Sequence, residues 1–168
     1  MPAYAAPAPP ASTLESSLSN MVWRLATAPR PAIVFGLAGL LPFMGLSLIA
    51  VFGPPATQVT SSHALLQYGA LIATFVGALH WAYAVAGVAS SASATARYGW
   101  SVLPSLVAWL ALQQAQQTGL RIVAVLLVAC YFADRQLLRP TSLPQWIADL
   151  RLLLTSVAVV SLVVASLS

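Results

Sequence analysis

Five stretches of predominantly apolar residues divide this chain, and each ends in polar or helix-breaking residues. A helix that spans a bilayer needs about 20 such residues. The first stretch runs from Pro31 to Phe52, opened by Pro31 and closed by Gly53, Pro54 and Pro55. Proline suits a helix start, and a Gly-Pro-Pro run ends one. The second runs from Ala64 to about Ser90. The third runs from Gly99 to about Leu112 and fades into the glutamines of residues 113–117. The fourth runs from Leu120 to about Leu138, and the fifth from Ile147 to near the C-terminus. The pattern predicts an all-α integral membrane bundle of about five transmembrane helices over residues 30–168.

The third stretch is the shortest, and Pro104 falls in its early turns. Neighbouring helices can re-satisfy the carbonyl that a membrane proline leaves free, and the glutamines can carry the helix into the interface. A re-entrant segment is the alternative, and it would reverse the topology of everything after it. The arginines bear on that choice. With five crossings and the N-terminus inside, Arg24, Arg30, Arg97, Arg135, Arg139 and Arg151 share one side and Arg121 alone takes the other. This is the asymmetry of the positive-inside rule. If the third stretch did not cross, it would vanish. The charges therefore favour an inside N-terminus and an outside C-terminus.

Composition agrees with a lipid environment. Of 168 residues, 60% are hydrophobic and 6% charged, against about 25% charged in ordinary soluble domains. The net charge of +4 comes from arginines scattered singly between apolar runs. That is the distribution of topology signals and not of a nucleic-acid-binding patch. Residues 1–29 read as a flexible tail to about Met21, then a short interfacial stretch with Trp23 and Arg24. They lack the compact apolar core of a secretory signal and are poor in Arg for a mitochondrial transit peptide.

Helices in lipid associate through small residues that let backbones approach. The second stretch places Gly69, Ala73, Gly77, His80, Ala84 and Gly87 on one face at spacings of three or four. The third offers Ser101, Ser105, Ala108 and Ala111, with Pro104 among the packing positions. The fifth offers Arg151, Thr155, Ala158, Ser161 and Ala165, and the first Ala32, Gly36 and Gly39. These stripes are expected to face the bundle interior, with Leu, Ile, Val and Phe turned to lipid.

His80 is the titratable side chain deepest inside a span, where ionisable groups are costly and face protein or water. It reads either as a proton-relay or ligand-binding histidine, or as a neutral histidine bonded to a neighbouring helix. His63, at the far end of the same helix, reads as interfacial. The acidic residues after Glu15 are Asp134 and Asp149, both at the arginine-rich boundary. An Asp134–Arg97 or Asp134–Arg151 pair would tie helix ends together there; snorkelling arginines are the alternative. The candidate polar cluster is His80, Arg97, Trp100, Ser101, Asp134, Arg151 and Thr155. Trp81, Trp100, Trp109 and Trp146 mix packing with interfacial anchoring. Cys130 stands alone, so no intrachain disulfide and no cysteine metal site can form. No phosphate loop, Ser-His-Asp set or haem-bracketing histidine pair occurs. Three acidic residues suit little metal or acid–base chemistry, so no catalytic residue, metal or cofactor is expected.

The motifs carry a resemblance. Gln67-Tyr68-Gly69-Ala70 to Gly77-Ala78-Leu79-His80-Trp81 looks like a family pattern of Tyr-Gly-Ala, a small-residue helix, then His-Trp. The run from Arg97 to Leu106, with Trp109, is similar to that family's Arg-Tyr-x-Trp-Ser-Val-x-Pro core. Leu150-Arg151-Leu152-Leu153-Leu154-Thr155 resembles its Leu-Arg-x-x-Leu-Thr ending. The family comprises small uncharacterised membrane proteins, mostly bacterial, with mitochondrial inner-membrane relatives. The resemblance covers roughly residues 30–165. After Trp146 the chain departs from it, with Ile147 where Tyr is expected. It implies a multi-span inner-membrane protein and supplies no substrate.

Size, scarce functional groups and small-residue faces point to a non-enzymatic accessory, scaffold or assembly component of a membrane complex. Its partners would be membrane lipids, other membrane subunits or itself. The alternative is a small transporter or proton-conducting protein with an inner vestibule around His80, walled by Arg97, Asp134 and Arg151. An enzyme acting on lipid or quinone ranks last.

Overall fold

The computed structural model describes residues 13–86, 91–138 and 144–168. Among these the chain is helical throughout, with no strand. The helices are α1 (Thr13–Ala26), α2 (Arg30–Ala38), α3 (Leu40–Phe52), α4 (Pro55–Val85), α5 (Ser91–Leu112), α6 (Gln116–Leu138) and α7 (Gln145–Ala165). Gly87, the last member of the small-residue stripe in the second stretch, lies outside the described residues, as do Arg139 and residues 1–12 of the expected tail.

Several boundaries differ from the sequence expectation. A helix, α1, stands over residues read as flexible to about Met21. The helix of the second stretch begins at Pro55 instead of Ala64, because Pro54 and Pro55 set the backbone for a helix start and the polar residues to His63 continue it. The third begins at Ser91 instead of Gly99. The glutamines do not prolong it into the interface: α5 ends at Leu112, and Gln113 and Gln114 form the turn into α6. That turn needs glycine at 119, where a Cβ would come within 2.7 Å of the Ala111 carbonyl oxygen.

The first stretch is one apolar unit of two helices that meet at Gly39. Pro42 explains the interruption, since it lacks the N–H that would bond the carbonyl four residues back. The Tyr68 hydroxyl of α4 donates to the Gly39 carbonyl at 2.9 Å, and the Tyr68 ring packs edge-on against Phe43 at 5.0 Å between centroids. A neutral hydrogen bond of this kind is worth about 1 kcal/mol. Tyr68→Phe, which keeps the ring and deletes the donor, is therefore expected to cost about that much, read as a small fall in melting temperature in mild detergent.

Among the described residues four helical units are long and apolar enough to cross a membrane: Arg30–Phe52, Pro55–Val85, Gln116–Gln136 and Gln145–Ala165. The fifth expected span, α5, has the length, 22 residues or about 33 Å, but not the apolarity. Arg97, Tyr98, Trp100 and several serines dilute it.

Cross-helix contacts fix how these helices lie. Gly77 meets Pro104 and Trp81 stacks edge-on with Tyr98, so α4 and α5 are antiparallel. Gly69 meets Val123 and His80 meets Asp134, so α4 and α6 run parallel. Asp134 meets Arg151 and Arg121 reaches Ser166, so α6 and α7 are antiparallel. The core they enclose includes Phe43, Leu65, Leu66, Ala73, Leu120, Val123 and Leu162. Large apolar side chains cover the outside, among them Phe35, Phe75, Trp109, Val125 and Val160, the reverse of a soluble bundle.

Small residues do line the α4 interface. Ala73 is fully buried, a Cβ on Gly77 would lie 2.8 Å from Pro104 Cγ, and one on Gly69 would lie 3.0 Å from Val123 Cγ1. Ala84 is only half-buried, because α4 has by then passed the core. In α5 the interior row is Arg97, Ser101, Pro104, Ala108 and Ala111. Pro104 is buried there, as expected of a packing position, whereas Ser105 is only half-buried and bonds back to the Val102 carbonyl. Ala32 and Gly36 in α2 and Gly39 at its end are half-buried, and the buried row shifts to Leu40, Phe43, Ser47 and Ala50 in α3.

Candidate functional site

The polar cluster forms where α4, α6 and α7 converge at the arginine-rich end of the bundle. His80 lies five residues before the last residue of α4, about 8 Å along the axis, and Arg151 six residues into α7, about 9 Å. Asp134, one turn before the end of α6, joins them. His80 Nε2 lies 2.8 Å from Asp134 Oδ1. Arg151 Nε donates to Oδ2 at 2.7 Å, and its Nη2 makes a second short contact with the same oxygen. Both carboxylate oxygens are thus used. An ionised carboxylate only accepts, so Nε2 carries the hydrogen facing Asp134, and in the neutral ring Nδ1 is left as an acceptor. No described group bonds Nδ1, nor the buried indole Nε1 of Trp100.

Burial makes this arrangement consequential. His80 is 0% exposed and Asp134 8%, while the Arg151 side chain keeps 19%. A buried carboxylate without a cation would be severely penalised. Arg151 supplies the charge and His80 a second donor. Of the two pairs anticipated for Asp134, the one with Arg151 is formed. A bond from His80 to a neighbouring helix was one of the two readings open to it; that its partner is Asp134, 54 positions away, the sequence pattern did not specify. The scarcity of acidic residues was the available signal, since it leaves Asp134 and Asp149 as the acidic side chains on that boundary.

The other candidates occupy separate roles. Arg97 is 0% exposed on the interior row of α5, and the Trp81–Tyr98 contact sets it at the level of His80. Ser101 is buried and donates to the Tyr98 carbonyl at 2.7 Å. Trp100 packs half-buried against the core. Thr155, one turn beyond Arg151, joins no hydrogen bond of the cluster and lines a cavity beside it. His63 is exposed on α4, and Cys130 is buried among apolar neighbours. Among the described residues no group of three or more His, Cys, Asp or Glu could hold a metal.

A second ion pair, unread in the sequence, ties α1 to α7. Arg24 Nε lies 2.5 Å from Asp149 Oδ2, with Nη2 3.3 Å from Oδ1. This hydrogen bond, with the attraction of the carboxylate, pushes the Arg24 guanidinium above its ordinary value. At the opposite end of the bundle Arg121 donates to the Ser166 carbonyl at 3.2 Å, closing the C-terminus of α7.

The family described as "Protein of unknown function (DUF3429)" matches residues 28–167, which takes in every helix from α2 to α7 and the whole cluster. The chain belongs to the DUF3429 family. It is similar to Transmembrane protein 69 of Xenopus tropicalis, at 36% identity over 148 residues, covering 83% of this chain and 54% of that protein. It is also similar to Transmembrane protein 69 of Mus musculus, at 26% identity over 140 residues, covering 83% of this chain and 57% of that one. The chain thus spans little more than half the length of these curated relatives. No solved structure matches it. This DUF3429 member is therefore a helical membrane protein with eukaryotic relatives.

Proposed function

We propose that this chain is a non-enzymatic accessory, scaffold or assembly component of a complex in an inner membrane. The observation that carries this reading is the closed state of its polar groups. His80 and Arg97 are completely enclosed, and both oxygens of Asp134 are committed to side chains on two other helices. A conducting or catalytic histidine needs water or substrate on one side; this one is used to hold helices at fixed rotations and depths. The outer face carries many exposed large apolar side chains, suited to lipid and to other membrane helices. Blue-native electrophoresis and co-purification in mild detergent test the reading. Capture in a defined larger assembly, or as a stable oligomer, is the expected result, and a monodisperse monomer under every mild condition would overturn it.

The topology that accompanies this reading has five crossings, the N-terminus inside and the C-terminus outside. The alternating directions of the helices from α4 to α7 support it, as does the gathering of Arg24, Arg30, Arg97, Arg135 and Arg151 at one end. Single cysteines at residue 20 and residue 168 should label from opposite sides of the membrane in a Cys130→Ser background.

One observation favours a second reading. An intramembrane His–Asp–Arg set is the equipment of proton relays, and a second conformation that wets His80 would make it one. Proton flux into proteoliposomes that disappears in His80→Ala, with the fold retained, would favour a small transporter over the scaffold.

A further inference from the structure

Beside the cluster lies a cavity of about 160 Å³ enclosed by α2, α3, α4, α6 and α7. Its walls are apolar, with Phe43 and Ile72 inside and Phe35 and Phe75 at its rim, the latter two strongly exposed on the face that meets lipid. Two polar side chains line it, Arg151 and Thr155. Arg151 spends Nε and Nη2 on Asp134, and its Nη1 donors make no hydrogen bond to a described residue. The Thr155 hydroxyl makes none either. An apolar chamber thus has in its lining two side chains with hydrogen-bond donors that no described residue uses.

We propose that this cavity is a lipid site, seating the first carbons of one acyl chain of a diacyl glycerolipid with its ester carbonyl on Arg151 and Thr155. Depth, charge and size lead to this ligand. Arg151 sits about 9 Å into its helix, close to the edge of the roughly 30 Å hydrocarbon core, where ester groups lie. Phosphate groups lie farther out. Asp134 already neutralises Arg151, so the floor offers donors without net charge and suits a neutral carbonyl over an anion, which Asp134 would repel. The volume is close to that of an apolar cavity of roughly 150 Å³ known to hold a benzene-sized group. It therefore takes a carbonyl and a few methylenes, and the rest of the chain leaves between Phe35 and Phe75 into the bilayer. The site stands whether the bundle serves as a scaffold or as a transporter.

The test uses the full chain without mutation. It is reconstituted in an equal mixture of ester-linked and dialkyl ether-linked phosphatidylcholine, extracted in mild detergent, and its retained lipid is read by native mass spectrometry. The ether lipid has the same headgroup and no carbonyl. One ester lipid per chain is expected, preferred over the ether lipid by about tenfold, the value of one charge-assisted hydrogen bond. Equal retention of the two, or retention of neither, overturns the proposal. Thr155→Val should narrow the preference. Ile72→Trp, at a half-buried wall position, should abolish retention while leaving the elution profile unchanged. A correctly folded Ile72→Trp chain that still holds the lipid overturns it as well.

Discussion

Asp134→Ala is expected to lower the stability of the purified protein by about 3–5 kcal/mol, the cost of stripping a buried charge of its partner. The size of this effect discriminates between two pictures. Interhelical hydrogen bonds between neutral groups in membranes average about 0.6 kcal/mol, because the separated helices find other partners. Loss of the carboxylate here leaves the Arg151 guanidinium facing His80 and an apolar cavity with nothing to neutralise it. The Arg151 side chain is 19% exposed and long enough to swing toward the headgroups. A loss below about 1 kcal/mol would mean that it does so. The converse variant separates the cases. Asp134 is short and cannot snorkel, so Arg151→Ala strands a carboxylate with His80 as its remaining partner. The double variant Asp134→Ala with Arg151→Ala should then cost less than the two single costs added, since neither charge is left alone. Thermal loss of the monodisperse peak in size-exclusion chromatography reads all three.

Substitutions of Gly77 should give the second large effect, now from packing. A Cβ at this position would sit 2.8 Å from Pro104 Cγ and 3.1 Å from Cβ of the same ring. Pro104 is held in the α5 backbone and cannot rotate aside, so the helices must separate. Overpacking of this kind costs about 1–3 kcal/mol. Replacing a mid-helix glycine by alanine returns about 1 kcal/mol of helix propensity. For Gly77→Ala the clash is expected to win, and Gly77→Leu should prevent α4 and α5 from closing. Gly69→Ala meets the flexible ends of Val123 and Leu162 at 3.0 and 3.2 Å, which can yield, so its loss should be smaller. Gly45 has nothing within 4 Å of an added Cβ, and Gly45→Ala should stabilise slightly. Melting temperatures in one detergent should therefore rank Gly45→Ala above wild type, then Gly69→Ala, then Gly77→Ala. A Gly77→Ala protein as stable as Gly45→Ala would mean that α4 and α5 do not touch at Pro104.

These variants probe features of unequal legibility. The Gly69–Ala73–Gly77–His80 face was readable because a helix places residues three and four apart on one side, and small residues there invite a neighbour. Which neighbour was not readable. Pro104 fills the space above Gly77; it was named among the packing positions, beside Ser105, but nothing in the pattern paired it with Gly77. A row of alternating small residues leaves the helix rotation open by some tens of degrees, and the shape of the proline ring against a bare glycine fixed it.

The cluster shows the same division. His80, Asp134 and Arg151 each stood out as charged or titratable groups in apolar surroundings. Their joining, like the Arg24–Asp149 tie that anchors α1, depends on the depth and rotation of helices far apart in sequence. Burial then leaves few ways to satisfy each charge.

By itself the sequence determined that this is a helical membrane protein, and roughly where each apolar segment lies. In lipid every backbone polar group must be satisfied within its own segment, so the local pattern of apolar and breaking residues is sufficient. Only the tertiary structure decided the turn at Gln113–Gln114, the partners of Asp134 and the cavity beside Arg151. Each of those depends on contacts between segments, and the energy that selects among such contacts is absent from any one segment alone.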